Sequence, residues 1–282
     1  MPDARPEGEG RMSQTAAEAP ASPFELMATA LAHDLEDGEW VEVGANLPVP
    51  RAAALLAHLT HGPNMTIMLA MTKAYLRDEP LIEEFELITD VRAQRWAEAY
   101  YPHDRLLSEM RFRRRGVFFC GGIQIDQFGN SNLIGIGHDH RRLAFRGPGA
   151  IGTCNATVHN GRYHLVTNEH SARVLVERCD YVSALGFGDG TPGLREELGL
   201  GNEGPRYIVT PLCVFDFHLE THRARLRSLH PGVELARVVE HTGFAFEVPD
   251  PVPITPAPSP HELSILRERI DAQGRLRGAA AG

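Results

Sequence analysis

Val117-Phe118-Phe119-Cys120 is an apolar run that stops at Gly121-Gly122, and that junction constrains the chain more than any other stretch. Ile123 and Ile125 then alternate with Gln124 and Asp126, and Phe128-Gly129-Asn130 reads as a turn. A run that is apolar at every position, rather than at every second one, predicts a strand buried on both faces of a sheet in an α/β domain. Two glycines at its end carry no Cβ, so a ligand or another backbone can come close, and they also admit φ > 0. Their amides are candidates for polarising a substrate oxygen. A plain Gly-rich strand end followed by a polar turn fits the same residues.

The flanking sequence supplies the context. Trp40 to Gly44 reads as a strand, Ala45 to Pro48 as a loop, Arg51 to Thr60 as a helix, and Met65 to Met71 as a second strand. Strand, helix, strand in this order predicts a parallel sheet with crossover helices. Ligands of such sheets sit at the carboxyl ends of the strands. That places residues 44–47, 70–73 and 121–124 on one rim. A helix is expected from Pro23, with Phe24, Met27, Leu31 and Leu35 at helical spacing, and another over 104–110. Further strands are expected at 164–167, 173–177, 207–210, 213–217 and 223–229. A last strand-like run covers 242–248, and a terminal amphipathic helix covers 263–270. Residues 23–273 form one domain in this reading. Residues 1–22 and 274–282, poor in large apolar side chains, read as disordered tails.

Charge and composition exclude several classes. The 282 residues carry a net charge of −9. Arg111 to Arg115 is the only dense basic cluster, none recurs with interleaved aromatics, and it reads as a solvated helix end, so nucleic acid is not an expected partner. No apolar stretch reaches the roughly 18 residues that a membrane span needs. Cys120, Cys154, Cys179 and Cys213 are widely spaced, without a CxxC pair, and suit buried free thiols in a reducing, cytoplasmic setting. His138-Asp139-His140 offers two imidazoles and a carboxylate, but no further ligand pair supports it, so it reads as a polar loop and no metal is assigned. Gly147-Pro-Gly-Ala-Ile-Gly152 matches the dinucleotide pattern G-x-G-x-x-G. It lies mid-chain, no acidic residue ends a following apolar strand, and Pro148 removes one amide. The stretch reads instead as a Gly-rich loop leading into a helix, with amides facing the main site.

The central segment, Gly-Gly-Ile-Gln-Ile-Asp-Gln-Phe-Gly-Asn-Ser-Asn (121–132), resembles the signature of family I CoA-transferase β subunits, the glutaconate type in particular. Similar landmarks follow in order: Val41 to Pro48, Arg146 to Gly149, Asp180-Tyr-Val, Arg195 to Leu200, Gly204-Pro, Thr242-Gly-Phe, and the closing pattern at 263–271. The stretches at 214–217 and 221–233 look closer to a steroid ring-opening acyl-CoA hydrolase branch of the same family. The resemblance implies a three-layer α/β subunit with an open, mostly parallel sheet, the CoA-transferase (NagB/RpiA-like) fold. It implies a homologous α subunit as partner, in a heterodimer or heterotetramer, with the active site at their interface. The substrate is an acyl-CoA thioester, with coenzyme A as part of the substrate and no tightly bound cofactor. Gly121 and Gly122 would form an oxyanion hole, and Gln124 would hydrogen-bond a substrate carboxylate or carbonyl. Gly44, Asn46, Ala70, Asp126, Gly147 and Gly149 would line the substrate. For Asp126, fixing the turn through the Asn130 and Asn132 backbone is the competing role. Arg92 and Arg95 either bind a substrate acid or form a solvated helix face.

One departure bears on mechanism. The family's transferases attack the thioester with a Glu at the end of the second strand, and that position falls on Ala70 here. No acid occurs between Met65 and Arg77. The resemblance therefore points to a family branch that hydrolyses, cleaves or decarboxylates an acyl-CoA without a glutamyl intermediate. A true transferase with its carboxylate elsewhere and a non-catalytic scaffold subunit are the alternatives.

Overall fold

The computed structural model describes residues 19–44, 47–69, 72–74, 115–150 and 152–278. Asn46, Ala70, Arg92, Arg95 and the helix expected over 104–110 lie outside the described residues. Element labels below run over the described chain.

The first helix, α1 (Pro23–Ala32), starts on a reciprocal cap. The Ser22 hydroxyl accepts from the Glu25 amide, and the Glu25 carboxylate accepts from the Ser22 amide. Strand β1 (Trp40–Val43), helix α2 (Pro48–Thr60) and strand β2 (Thr66–Leu69) form the expected crossover, with β1 and β2 parallel and Val41 opposite Ile67. Helix α2 begins at Pro48 rather than Arg51. Prolines in a first turn lack only an N–H that would be unbonded there anyway. The second strand starts at Thr66 rather than Met65. It ends at Leu69, and β3 (Thr72–Ala74) folds back antiparallel, with Leu69 opposite Thr72.

Strand β4 (Gly116–Cys120) pairs in parallel with β1 on one side and β9 (Arg162–Val166) on the other, and all five of its residues are buried. Beyond β9 lie β11 (Gly204–Val209), parallel to it, and the antiparallel β12 (Cys213–Phe217) and β13 (Ala224–Leu229). Among the described residues the main sheet therefore runs β13-β12-β11-β9-β4-β1-β2-β3. Successive residues of β4 feed opposite cores. Val117 and Phe119 pack with α1, α2 and the C-terminal Ile265, Leu266 and Ile270. Phe118 and Cys120 pack with Ile125, Tyr163, Phe215 and Val238 on the other face. This is the expected mixed α/β, three-layer arrangement with a mainly parallel sheet.

Two small sheets sit beside the main one. The first is β10 (Leu175–Val176), β5 (Gln124–Asp126) and β6 (Ser131–Asn132), and the second is β7 (Gly135–Ile136) with β8 (Phe145–Arg146). Short helices α3 (Thr153–His159), α4 (Leu194–Glu197) and α5 (Leu235–His241) complete the middle of the chain. Cys120, Cys179 and Cys213 are buried free thiols as expected, but Cys154, in the first turn of α3, is exposed. Residues 242–248 do not form the expected strand. Only single bridges occur, from Gly243 to Val176 and from Glu247 to Arg225. The following prolines at 249, 251 and 253 have no amide to continue a ladder.

At the C-terminus α6 (Pro260–Ser264) passes into a π-helical turn, Ile265–Ile270. Residues 275–278, expected within the tail, form a short helix, α7 (Arg275–Gly278), with Leu276 buried. The Asp271 carboxylate accepts from the amides of Arg275 and Leu276, and the Ser22 hydroxyl donates to the Leu276 carbonyl. The two ends of the domain are thus joined. Their strongest link is buried: Arg267 Nε and Nη2 donate to the two Glu25 oxygens at 2.8 and 2.9 Å. Removing one partner of a buried ion pair strands the other charge. Arg267→Met should therefore lower the free energy of unfolding by about 3 kcal/mol in urea titration, and pairing it with Glu25→Gln should recover much of that loss.

Candidate active site

The carboxyl ends of β1, β4, β9 and β11 lie along one edge of the sheet, because these strands are parallel. Gly44, Gly121, Thr167 and Thr210 follow those ends directly. Neither Gly121 nor Gly122 has a positive φ, so freedom of φ is not why glycine stands there. Close approach is the reason. A β-carbon on Gly122 would lie 2.5 Å from Ser131 Oγ and 2.6 Å from the Gln124 carbonyl oxygen. On Gly121 it would lie 3.3 Å from the Val166 carbonyl oxygen and 3.5 Å from Leu47 Cδ2, which is tight but not closed. Gly44 is similar, 3.0 Å from the Phe119 carbonyl oxygen. Both residues of the pair are half-buried, and among the described residues neither amide has an acceptor. Two N–H groups thus stand at the rim free to bond a ligand oxygen.

The loop behind the pair is a closed hydrogen-bond network. Asp126, 2% exposed, accepts from the amides of Phe128 and Asn130, the Asn130 side chain and the amide of Cys179. Burial raises its carboxyl above the usual range despite these bonds. Asn130 continues the network, accepting from the Gly186 amide and donating to the Gly188 carbonyl. Ser131 Oγ donates to the Gly121 carbonyl at 2.7 Å, which fixes the peptide that carries the Gly122 amide. Asp126 therefore takes the turn-fixing role, through Asn130 and not through the Asn132 backbone. Gln124 departs from expectation as well. Its side-chain oxygen accepts from Asn132 Nδ2 at 2.7 Å and from the Asp180 amide at 3.0 Å, and the residue is buried. Asn132 and the Asp180 amide take up its side-chain oxygen, so Gln124 is held in the interior instead of reaching a substrate.

Gly147 and Gly149 divide. The Gly147 amide donates to the Ile134 carbonyl, and a β-carbon there would lie 2.2 Å from the Leu133 carbonyl oxygen, so it is a packing glycine. The same β-carbon would lie 3.2 Å from Ile123 Cδ1, so the loop runs beside the glycine pair. A β-carbon on Gly149, at φ +92°, would meet nothing within 4 Å, but its amide donates to the Leu133 carbonyl, so the amides of Gly147 and Gly149 are bonded within the loop and do not face the site as expected. Thr153–His159 then forms the helix expected after this loop. His138 and His140 lie at the tip between β7 and β8, with His140 exposed.

The same edge carries residues that the sequence did not single out. Glu169 follows β9. Its carboxylate accepts from the Ser171 hydroxyl at 2.5 Å and from Arg173 at 2.6 Å, and the Ser171 bond with the Arg173 charge holds it below the usual carboxylate range. His170 lies between the hydroxyls of Thr210, at 2.8 Å, and Thr242, at 3.0 Å. His230 bonds the Thr210 carbonyl oxygen and the Thr255 hydroxyl. Burial lowers both histidines to about 4. The only sequence signal for them is position after predicted strand ends. Cys120, the last residue of β4, is no nucleophile, since burial pushes its thiol well up.

The Coenzyme A transferase family matches residues 24–241. A glutaconate CoA-transferase subunit of Acidaminococcus fermentans is 31% identical over 257 residues, covering 88% of this chain and 91% of that protein. This chain belongs to the coenzyme A transferase family. The crystal structure of glutaconate coenzyme A-transferase from that organism superposes with a TM-score of 0.80 at 26% identity, covering 90% of this chain and 96% of the other. A 3-oxoadipate CoA-transferase subunit of Pseudomonas knackmussii is 32% identical over 247 residues, 87% of this chain and 92% of that one. The cholesterol ring-cleaving hydrolase IpdB subunit of Mycobacterium tuberculosis is 30% identical over 255 residues, 88% and 94%. Transferases and a hydrolase thus stand at nearly equal distance from this member of the family.

Two outcomes follow from the geometry. Gly122→Ala should lower stability by about 1–3 kcal/mol in urea titration, because its β-carbon meets backbone and Ser131, whereas Gly121→Ala should fold nearly as the wild type. The histidines give a pH signature. Their folded values near 4 lie below the ordinary 6.5, so the unfolded chain binds more protons between these limits. Their contribution to stability is complete above about pH 6.5 and is lost as pH falls toward 4. The fall of melting temperature over that window should be shallower in His170→Gln/His230→Gln than in the wild type.

Proposed function

We propose that this chain is the β subunit of a heteromeric enzyme acting on an acyl-CoA thioester, and that it works without a covalent glutamyl intermediate. The observation that carries the reading is the pairing of a preserved donor site with a missing nucleophile. The Gly121 and Gly122 amides are unbonded at the rim, while no acid occurs between Met65 and Arg77. The β chain then polarises the thioester or a β-keto oxygen, and the attacking group comes from water or from the α subunit. Gly44 and Gly149, with Asn46 and Ala70 from outside the described residues, border the acyl group in this reading. Gln124 and Asp126 act from behind by holding the loop. Hydrolysis of a carbon–carbon bond and decarboxylation both fit such a division of labour. The ring-cleaving hydrolase subunit among the relatives supports it. Coenzyme A enters only as part of the substrate. The four free cysteines suit a cytoplasmic location, and among the described residues no helix is long and apolar enough to cross a membrane.

The transferase reading has one residue in its favour. Glu169 is a carboxylate on this edge, after the strand next to β4. It stands three strand spacings, about 14 Å, from the end of β2, where the transferases of the family place their acid. Ser171 and Arg173 also occupy both its oxygens, so it is a weak nucleophile.

Borohydride or hydroxylamine added during turnover of acyl-CoA by the αβ complex separates the two. The β chain should keep its unmodified mass; a modified peptide, at Glu169 or elsewhere, would overturn the non-glutamyl route. A catalytic role for the β chain, as against a scaffold, is read from Gly121→Val. That variant keeps both amides but puts a side chain in the approach to them, so it should retain the heteromer on size exclusion and lose about 100-fold or more in kcat, as when an oxyanion contact is lost.

A further inference from the structure

Among the described residues the β7–β8 hairpin carries an exposed cationic cluster. Residues 138–146, His-Asp-His-Arg-Arg-Leu-Ala-Phe-Arg, hold three arginines and two histidines against one aspartate in a chain of net charge −9. The Arg142 amide donates to the Asp139 carbonyl and the Arg141 amide to the Asp139 carboxylate, so both arginines sit on a tight turn. Pairing of Gly135 with Arg146 places a third guanidinium at the base of the hairpin. Arg141, Arg142 and Arg146 form no ion pair among the described residues, and all three are exposed. Arg162, Arg206, Arg225 and Arg267 by contrast all find carboxylates.

The hairpin is rooted at the site. The Gly147 and Gly149 amides bond the Ile134 and Leu133 carbonyls, and Gly147 lies against Ile123, the residue after the glycine pair. Strand β8 covers only Phe145 and Arg146, and the four residues from Arg146 back to Arg142 span at most about 13 Å at roughly 3.3 Å per residue. A ligand whose reacting end lies at Gly121 and whose anionic end is borne on a long arm would therefore meet these guanidinium groups.

Resting on the acyl-CoA reading above, we propose that Arg141, Arg142 and Arg146 bind the phosphates of the nucleotide end of the substrate. Arginine suits this task because its planar fork gives two parallel N–H donors to phosphate oxygens. The acyl end is held separately at the glycine rim, so the hairpin governs binding of the handle and not the chemistry.

The test uses the αβ complex with Arg141→Glu/Arg142→Glu in the β chain. The KM for acyl-CoA should rise by about tenfold or more with kcat within about twofold, and the KM for the same acyl group on pantetheine should not change. An unchanged KM for acyl-CoA, or an equal rise for both thioesters, overturns the assignment. Dissociation of the heteromer on size exclusion also overturns it, making the hairpin, with its exposed Phe145, an α-subunit docking strip. If the wild-type complex turns over no acyl-CoA, calorimetry with adenosine 3′,5′-bisphosphate still reads the hairpin. Binding to the wild type that is lost in the variant and weakened by salt supports it, and no binding to the wild type overturns it.

Discussion

A single buried carboxylate organises the site. Asp126 takes four donors from two separated parts of the chain: the amides of Phe128 and Asn130 with the Asn130 side chain, and the Cys179 amide. In water such bonds are worth little each, but inside the protein an unpaired donor or acceptor is costly, so the set holds as a unit. Through Asn130 it fixes residues 186–188, and the adjoining Ser131 fixes the Gly121 carbonyl. The glycine pair is thus held by groups that never reach the ligand.

That arrangement explains why the polar residues of the motif divide into two kinds. The side chains of Gln124, Asp126, Asn130 and Asn132 are spent on each other and on backbone. What remains for a substrate is main chain, at Gly121 and Gly122, where a side chain would collide or narrow the approach. Backbone donors preset in this way need no reorganisation when charge develops on a ligand oxygen, which is the physical basis of oxyanion stabilisation. A chain can then lose the acid at the end of β2 and still polarise a thioester.

Much of the fold was legible. The uninterrupted apolar run of β4 announced a strand buried on both faces, and strand-helix-strand order announced the parallel pair β1 and β2. The glycine pair and the turn after it were visible too, as was the helix start at Pro23, whereas the starts at Pro48 and Pro260 were each expected three residues later. The inward turn of Gln124 was not legible, because alternation reports which residues share a face and not what bonds them; Asn132 and Asp180 come from 8 and 56 residues further on. The roles of His170, Thr210 and His230 were hidden for the same reason, since residues far apart in sequence meet only when β9 and β11 pair. The run at 242–248 looked like a strand from its residue types, and the prolines after it decided otherwise.

The central claim is that this rim keeps its means of polarising a thioester and lacks only the carboxylate. Restoring the acid tests this directly: Ala70→Glu in the αβ complex, given acyl-CoA and followed by intact mass of the β chain. The account predicts a hydroxylamine-sensitive CoA adduct on the variant and none on the wild type. An equal adduct on the wild-type chain, or an unmodified variant that still turns over substrate, would contradict it.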